Sequence, residues 1–185
     1  MKVLLVNGSP HKEGCTYTAL SEVSKALNES DIDTDMMWLG VKPISGCIAC
    51  KACVKKGQCA LGGTVNEFLS IAGAFYADLC GGGNRFHLKP AAAVVSARRA
   101  GTTATWDQIN KYFALMQMPI VSSRYWNIVH GATPEQVQQD LEGMQTMRFL
   151  GKNMAYFLKC MEAGKNMGIS QPEQEKVIFT NFIRE

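Results

Sequence analysis

Residues 2–16 read Lys2-Val3-Leu4-Leu5-Val6-Asn7-Gly8-Ser9-Pro10-His11-Lys12-Glu13-Gly14-Cys15-Thr16. The run Lys2–Asn7 is rich in leucine and valine and ends at turn residues, which predicts a buried strand. Thr16–Leu27 follows with Ala19, Val23, Ala26 and Leu27 near one helical face. Asp31–Leu39 alternates polar and apolar residues and predicts a second, more exposed strand. Strand, helix and strand at this spacing form a βαβ unit, and such units build parallel sheets.

The rest of the chain extends that pattern. Thr64–Ala72 predicts a short helix. Pro90–Ala97 predicts a central strand whose small residues let helices approach both faces. Thr105–Met116 predicts a helix, and Pro119–Ser122 a short strand that Trp126–Val129 extends. Thr133-Pro134-Glu135 is a helix start, with a cap, a proline in the first turn and an acid beside it. The helix after it is expected to run to about Asn166, with Gly168 as its stop. Gln171–Glu185 carries Val177, Ile178, Phe179, Phe182 and Ile183, and is expected to dock as a tail. Without repeats or low-complexity linkers, residues 1–185 read as one doubly wound α/β domain with a cysteine-motif insertion at 46–60.

Composition narrows the function. The chain has 185 residues, 46% hydrophobic and 19% charged, an ordinary globular balance. No apolar stretch approaches the ~20 residues that span a bilayer, so no membrane role is expected. Net charge is +3 with scattered lysines and arginines, which argues against nucleic acid as a partner. The apolar start is too short for a secretory signal, so the expected location is the cytoplasm. Seven cysteines, an odd number, argue against a disulfide framework.

In doubly wound folds, ligands bind outside the carboxyl ends of the strands. Gly8–Thr16 lies there and leads into the first helix. Gly8 and Gly14 permit turns that expose N–H groups, while Ser9, Thr16 and Thr18 add hydroxyls. The helix start adds partial positive charge. Together these suit a phosphate dianion. Neither a Walker lysine ending nor G-x-G-x-x-G is present, which disfavours nucleoside triphosphates and dinucleotides.

The pattern V-N-G-S-P-x-x-x-G-x-T after an N-terminal strand resembles the flavodoxin-like NAD(P)H-dependent FMN reductases, most closely their iron–sulfur flavoprotein branch. The family's loop commonly reads G-S-P-R-x-x-G-N-T; here His11 stands for the arginine and Cys15 for the asparagine. The resemblance implies a flavodoxin-like sheet and FMN as cofactor. It places Ser9, His11, Gly14, Cys15, Thr16 and Thr18 at the phosphate. A second family-like stretch, Ser96-Ala97-Arg98-Arg99-Ala100-Gly101-Thr102-Thr103, lies against the isoalloxazine ring in the family. On that footing Ser96, Arg98, Arg99, Gly101 and Thr102 are cofactor-binding candidates. Gly101 and its neighbours can offer N–H groups to ring carbonyls. Arg98 or Arg99 can stabilise reduced flavin, or can simply be solvated or pair with a neighbouring subunit.

Cys47, Cys50, Cys53 and Cys59 form C-x2-C-x2-C-x5-C. Three thiolates at this spacing can converge on one centre, with the fourth arriving from a short loop. Iron–sulfur clusters use such compact spacing, whereas structural zinc prefers two separated pairs. Reduced structural thiols or an adventitious disulfide are the plainer alternatives. The resemblance implies a [4Fe–4S] cluster.

One break remains. A third βα unit, carrying a central strand and a G-S-P-x-Y loop, should follow Thr64–Ala72 in this family. Instead Ile71-Ala72 runs into Gly73-Ala74-Phe75-Tyr76-Ala77-Asp78 and then Cys80-Gly81-Gly82-Gly83. A parallel sheet that loses a central strand exposes unpaired edges. Either a stretch of the protein is missing from the sequence, or the chain is a deletion variant in which Gly73–Leu79 improvises as a strand.

The expected function is an FMN-dependent oxidoreductase. It takes electrons from NAD(P)H or a ferredoxin-like donor and passes them to a small acceptor, directly or through the cluster. No side chain is expected to act as acid, base or nucleophile. The alternatives are an electron-transfer protein without turnover and a degenerate flavodoxin-fold protein that has lost FMN. Apolar residues on several faces of 137–161 further predict a homo-oligomer, a dimer or larger. Val137, Leu141, Met144, Leu150, Met154 and Phe157 are expected to face the core, and Met147, Phe149, Tyr156 and Met161 to lie elsewhere.

Overall fold

The computed structural model describes residues 1–44, 48, 50, 52–56, 58–63, 66, 86–176, 178 and 182. Its elements are β1 (Lys2–Asn7), α1 (Cys15–Asn28), β2 (Asp33–Trp38), α2 (Ala52–Lys56) and β3 (Val95–Ala97). Then come α3 (Thr102–Leu115), β4 (Ile128–His130), α4 (Pro134–Gln139) and α5 (Leu141–Asn166). Among the described residues the strands form two parallel pairs, β1–β2 and β3–β4. Lys2 lies opposite Asp33 and Asn7 opposite Trp38, while Ser96 lies opposite Val129. Each pair is bridged by helical chain, as parallel strands require. The expected α/β architecture is therefore present. The predicted helix at Thr64–Ala72 falls, Asn66 apart, outside the described residues, and the improvised strand at Gly73–Leu79 wholly so.

One core joins the two pairs. Leu5 of β1 and Val129 of β4 share a cluster with Leu20, Val23 and Leu27 of α1 and Met147, Leu150 and Met154 of α5. α1 and α5 touch where Gly151 sits. A Cβ there would lie 2.6 Å from Ala26 Cβ and 2.8 Å from the Val23 carbonyl oxygen, so only glycine allows the approach.

Several expectations are corrected. The long helix after Thr133 is broken at Asp140 (φ −74°, ψ 79°). Asp140 Oδ1 accepts the Gly143 N–H at 2.9 Å and caps α5, and its Oδ2 accepts the His130 N–H at 2.7 Å. α4 starts as expected, with the Thr133 hydroxyl accepting the Gln136 N–H. The same Thr133 side chain holds the Glu135 carboxyl below the usual carboxylate range. The restart turns the apolar stripe. Leu141, expected inside, is 77% exposed, and Met147, expected on an outer face, is fully buried. Phe149 and Tyr156 are exposed as expected, while Val137, Leu150 and Met154 are buried.

The strand at Pro90–Ala97 forms a ladder only at Val95–Ala97, with a single bridge from Ala91 to Ile120. That bridge is all that remains of the predicted strand at 119–122. The pairing strand is Ile128–His130 instead. α5 ends at Gly168 in the left-handed region (φ +86°), as expected. The described tail residues do not dock as a body. Gln171–Lys176, Ile178 and Phe182 are exposed, and the tail touches the domain where Gln174 Nε2 lies 3.1 Å from His87 Nε2.

α3 is unusual in what it buries. Its buried residues are Thr102 and Asn110, both polar, while Tyr112 and Leu115 are exposed. Among the described residues, Trp106 Nε1 and both amide atoms of Asn110 lack hydrogen-bond partners. No helix among the described residues is long and apolar enough to cross a membrane.

Candidate functional site

The carboxyl ends of β1, β3 and β4 meet at one place, and the first loop is built from inside it. Asn7, the last residue of β1, is fully buried. Its Oδ1 accepts the Ser9 N–H at 3.0 Å, and its Nδ2 donates to the Lys12 carbonyl at 2.9 Å. One side chain thus fixes both arms of the loop. Ser9 Oγ accepts the His11 N–H at 3.2 Å, and Trp38 Nε1 donates to the Ser9 carbonyl at 2.8 Å. Gly14 is the N-cap of α1 and offers its first N–H groups no side-chain partner. A Cβ on Gly14 would come within 2.8 Å of His11 Cβ, so the imidazole side chain folds against the helix start. His11, Lys12 and Glu13 are exposed.

Three contacts join the loops. Thr16 Oγ1 and Ser96 Oγ share a hydrogen bond at 2.9 Å. The Gly131 N–H donates to the Ala97 carbonyl at 3.2 Å, and the Cys15 thiol donates to the Gly131 carbonyl at 3.6 Å. Cys15 and Thr16 are neighbours, as are Ser96 and Ala97, so the contacts close a ring around the strand ends. Thr18, expected to serve the phosphate, instead donates to the Gly14 carbonyl at 3.2 Å. In the second loop Arg98 and Arg99 are exposed and Thr102 is buried. Gly101 sits at φ +84°, a conformation that favours glycine, and caps α3. Its carbonyl accepts from both the amide and the hydroxyl of Thr105.

Sequence reading found the hydroxyls and glycines but missed Asn7, Trp38 and Gly131. Asn7 had a signal, since asparagine before a turn commonly bonds the backbone two residues on. Trp38 and Gly131 act from distant segments and had none.

The open N-cap and the Ser9 and Thr16 hydroxyls fit a phosphate ester at the helix start.

The cysteine motif is separate. Cys50 is exposed, Cys53 on α2 and Cys59 are half-buried, and all three are free thiols. Cys47 lies outside the described residues. Among those described, no three potential ligands form a group that could hold a metal ion. Cys59 is held by Asn66, whose Oδ1 accepts the Cys59 N–H at 2.6 Å and whose Nδ2 donates to its carbonyl at 3.1 Å. The donor set suits iron by its chemistry, but the described thiols do not converge.

Comparison with known proteins bears on the first loop directly. The model of the NADPH-dependent FMN reductase family matches residues 1–77. The resemblance to the FMN reductases holds. Those residues carry β1, the whole of the Gly8–Thr16 loop, α1, β2 and the cysteine motif. An iron-sulfur flavoprotein of Methanocaldococcus jannaschii is 28% identical over 192 residues, covering 88% of this chain and all of that protein. That span exceeds the 185 residues of the chain, so the relative has residues with no counterpart here, as a lost βα unit would require. A flavodoxin from the domain Archaea superposes with a TM-score of 0.48 at 15% identity, covering 86% of this chain and 99% of that one.

Proposed function

We propose that the chain is an FMN-dependent oxidoreductase that carries electrons from NAD(P)H or a ferredoxin-like donor to a small acceptor. The observation that carries this reading is the Gly8–Thr16 loop. It has an uncapped helix start, and Asn7 and Trp38 fix its backbone. A plain βα turn needs none of that. Ser9, Gly14 and Thr16 hold the phosphate, with His11 beside it. The Ser96–Thr102 loop, ending in Gly101, faces the ring. Bound FMN supplies hydride acceptance and one-electron transfer. The protein's residues bind it, orient it and set its surroundings. Arg98 and Arg99 bring positive charge to the same edge. Cys47, Cys50, Cys53 and Cys59 are the proposed ligands that would hold a [4Fe–4S] cluster, as the name of the archaeal relative suggests.

Absorbance of anaerobically purified protein tests both cofactors. Flavin bands are expected, with a broad brown shoulder and about four iron atoms per chain. A colourless preparation that takes up no added FMN overturns the flavin reading. Stoichiometric zinc, or no metal under strict anaerobiosis, overturns the cluster alone. NAD(P)H oxidation on mixing then separates an enzyme from a carrier without turnover.

The chain is also proposed to work as a homo-oligomer. Leu141, Phe149 and Tyr156 of α5 and Tyr125 and Trp126 before β4 are exposed apolar side chains. The described tail does not cover them. Sedimentation equilibrium at micromolar concentration is expected to give at least twice the chain mass of 20.3 kDa. A clean monomer overturns the assembly.

A further inference from the structure

We propose that Ser96 is a positioning residue for the flavin phosphate, acting through Thr16 rather than by contact with the ring. The inference rests on the FMN reading above and reassigns Ser96 within it. Thr16 is the second residue of α1, at the start that Gly14 leaves uncapped. Its Oγ1 lies 2.9 Å from Ser96 Oγ, contributed by a strand 80 residues away in sequence. Each hydroxyl has one proton to give. A phosphate dianion only accepts, so a Thr16 hydroxyl that serves it must donate to it. The Thr16 oxygen is then left to accept, and Ser96 is the donor at hand. The bonds run in one direction, from Ser96 to Thr16 to phosphate. Ser96 thereby holds the Thr16 proton toward the ligand, and each bond in such a chain strengthens the next.

Ser96 is itself held in place. It sits in β3 opposite Val129, and the adjacent Ala97 carbonyl accepts the Gly131 N–H. Gly131 in turn accepts the Cys15 thiol, one residue before Thr16. The direction of the Thr16 hydroxyl is therefore set by the second pair of strands, not by the loop that carries it. The consequence is a specificity. The phosphate feels Ser96, and a flavin without phosphate does not.

The test is titration of the flavin-free full chain with FMN and with riboflavin, followed by flavin fluorescence. Ser96→Ala is expected to raise the Kd for FMN about tenfold, the upper end for one net hydrogen bond between neutral groups, and to leave riboflavin within about twofold. Ser96→Thr, which keeps the hydroxyl, is expected to restore FMN binding. Thr16→Val is expected to lose at least as much as Ser96→Ala, and the double variant no more than Thr16→Val alone. Equal losses for both flavins in Ser96→Ala overturn the proposal, because they mark a ring contact or a general fold defect. Unchanged FMN affinity in Ser96→Ala, or additive losses in the double variant, also overturn it while leaving the FMN reading intact. An unaltered chain that binds no FMN brings down both.

Discussion

Gly151→Val is expected to destabilise the fold by about 3 kcal/mol or more, because the new side chain meets atoms that cannot yield. A Cβ at Gly151 would press on Ala26 Cβ and on the Val23 carbonyl oxygen, the latter part of the α1 backbone. Relief requires α1 and α5 to separate, and these two helices hold most of the core. Valine adds two methyl groups to that clash and gains little in helix propensity over glycine. For a chain of this size about 3 kcal/mol corresponds to a fall of roughly 6–12 °C in Tm. Gly151→Ala is expected to lie between the two, since alanine recovers about 1 kcal/mol of helix propensity against the overpacking. Calorimetry or a thermal melt by circular dichroism measures both. A Tm for Gly151→Val within 2 °C of the parent would show that the helices do not approach as closely as described.

Asn7→Leu is the second large effect, and it falls on the ligand loop. Asn7 is fully buried, and its amide is the partner of both the Ser9 N–H and the Lys12 carbonyl. Leucine of similar size fills the space but leaves both groups unmet. An unmet group costs about 1–3 kcal/mol when buried and less at the exposed Lys12 carbonyl, so the half-buried Ser9 N–H carries most of the penalty and the loop leaves its conformation. FMN affinity is expected to fall at least about thirtyfold, the equivalent of ~2 kcal/mol. Asn7→Asp keeps the acceptor for Ser9 and removes the donor to Lys12, so an intermediate loss is expected. Retained FMN affinity in Asn7→Leu would mean that the loop organises itself without its anchor.

Local signals were legible in the sequence, and distant ones were not. β1, α1 and β2 fell within two residues of expectation because periodicity and turn residues define them nearby. Thr133 and Gly168 marked helix ends through their own chemistry. The break at Asp140 depends on a bond to the His130 N–H, ten residues back across a strand end. No helical pattern contains it, and missing it rotated the expected stripe, exchanging Leu141 with Met147. Both segments of the expected strand pair with 91–97, but the ladder concentrates on the extension and leaves only the Ala91–Ile120 bridge at 119–122. The Val95 N–H bonds Asn127, which set Ile128–His130 as the partner. At the site, glycines and hydroxyls marked the loop in the sequence. Their order in the hydrogen-bond network came from Trp38, Ser96 and Gly131, which tertiary folding alone brings near.

The inner face of α3, where Thr102 and Asn110 are buried and Trp106, Ile109 and Phe113 only half-buried, has a consequence for how the site is entered. Burial of Thr102 and Asn110 contributes little apolar surface, and the unpartnered Trp106 and Asn110 groups subtract from what it gives. α1 and α5 are instead secured by buried aliphatic side chains. In amide hydrogen exchange α3 is therefore expected to open before α1 and α5. Gly101 caps this helix, so each opening frees the Arg98–Gly101 segment at its carboxyl-side attachment, while Ser96 stays held in β3. On the proposed FMN reading the two loops thus differ in lifetime, the anchored one serving the phosphate and the faster one the ring.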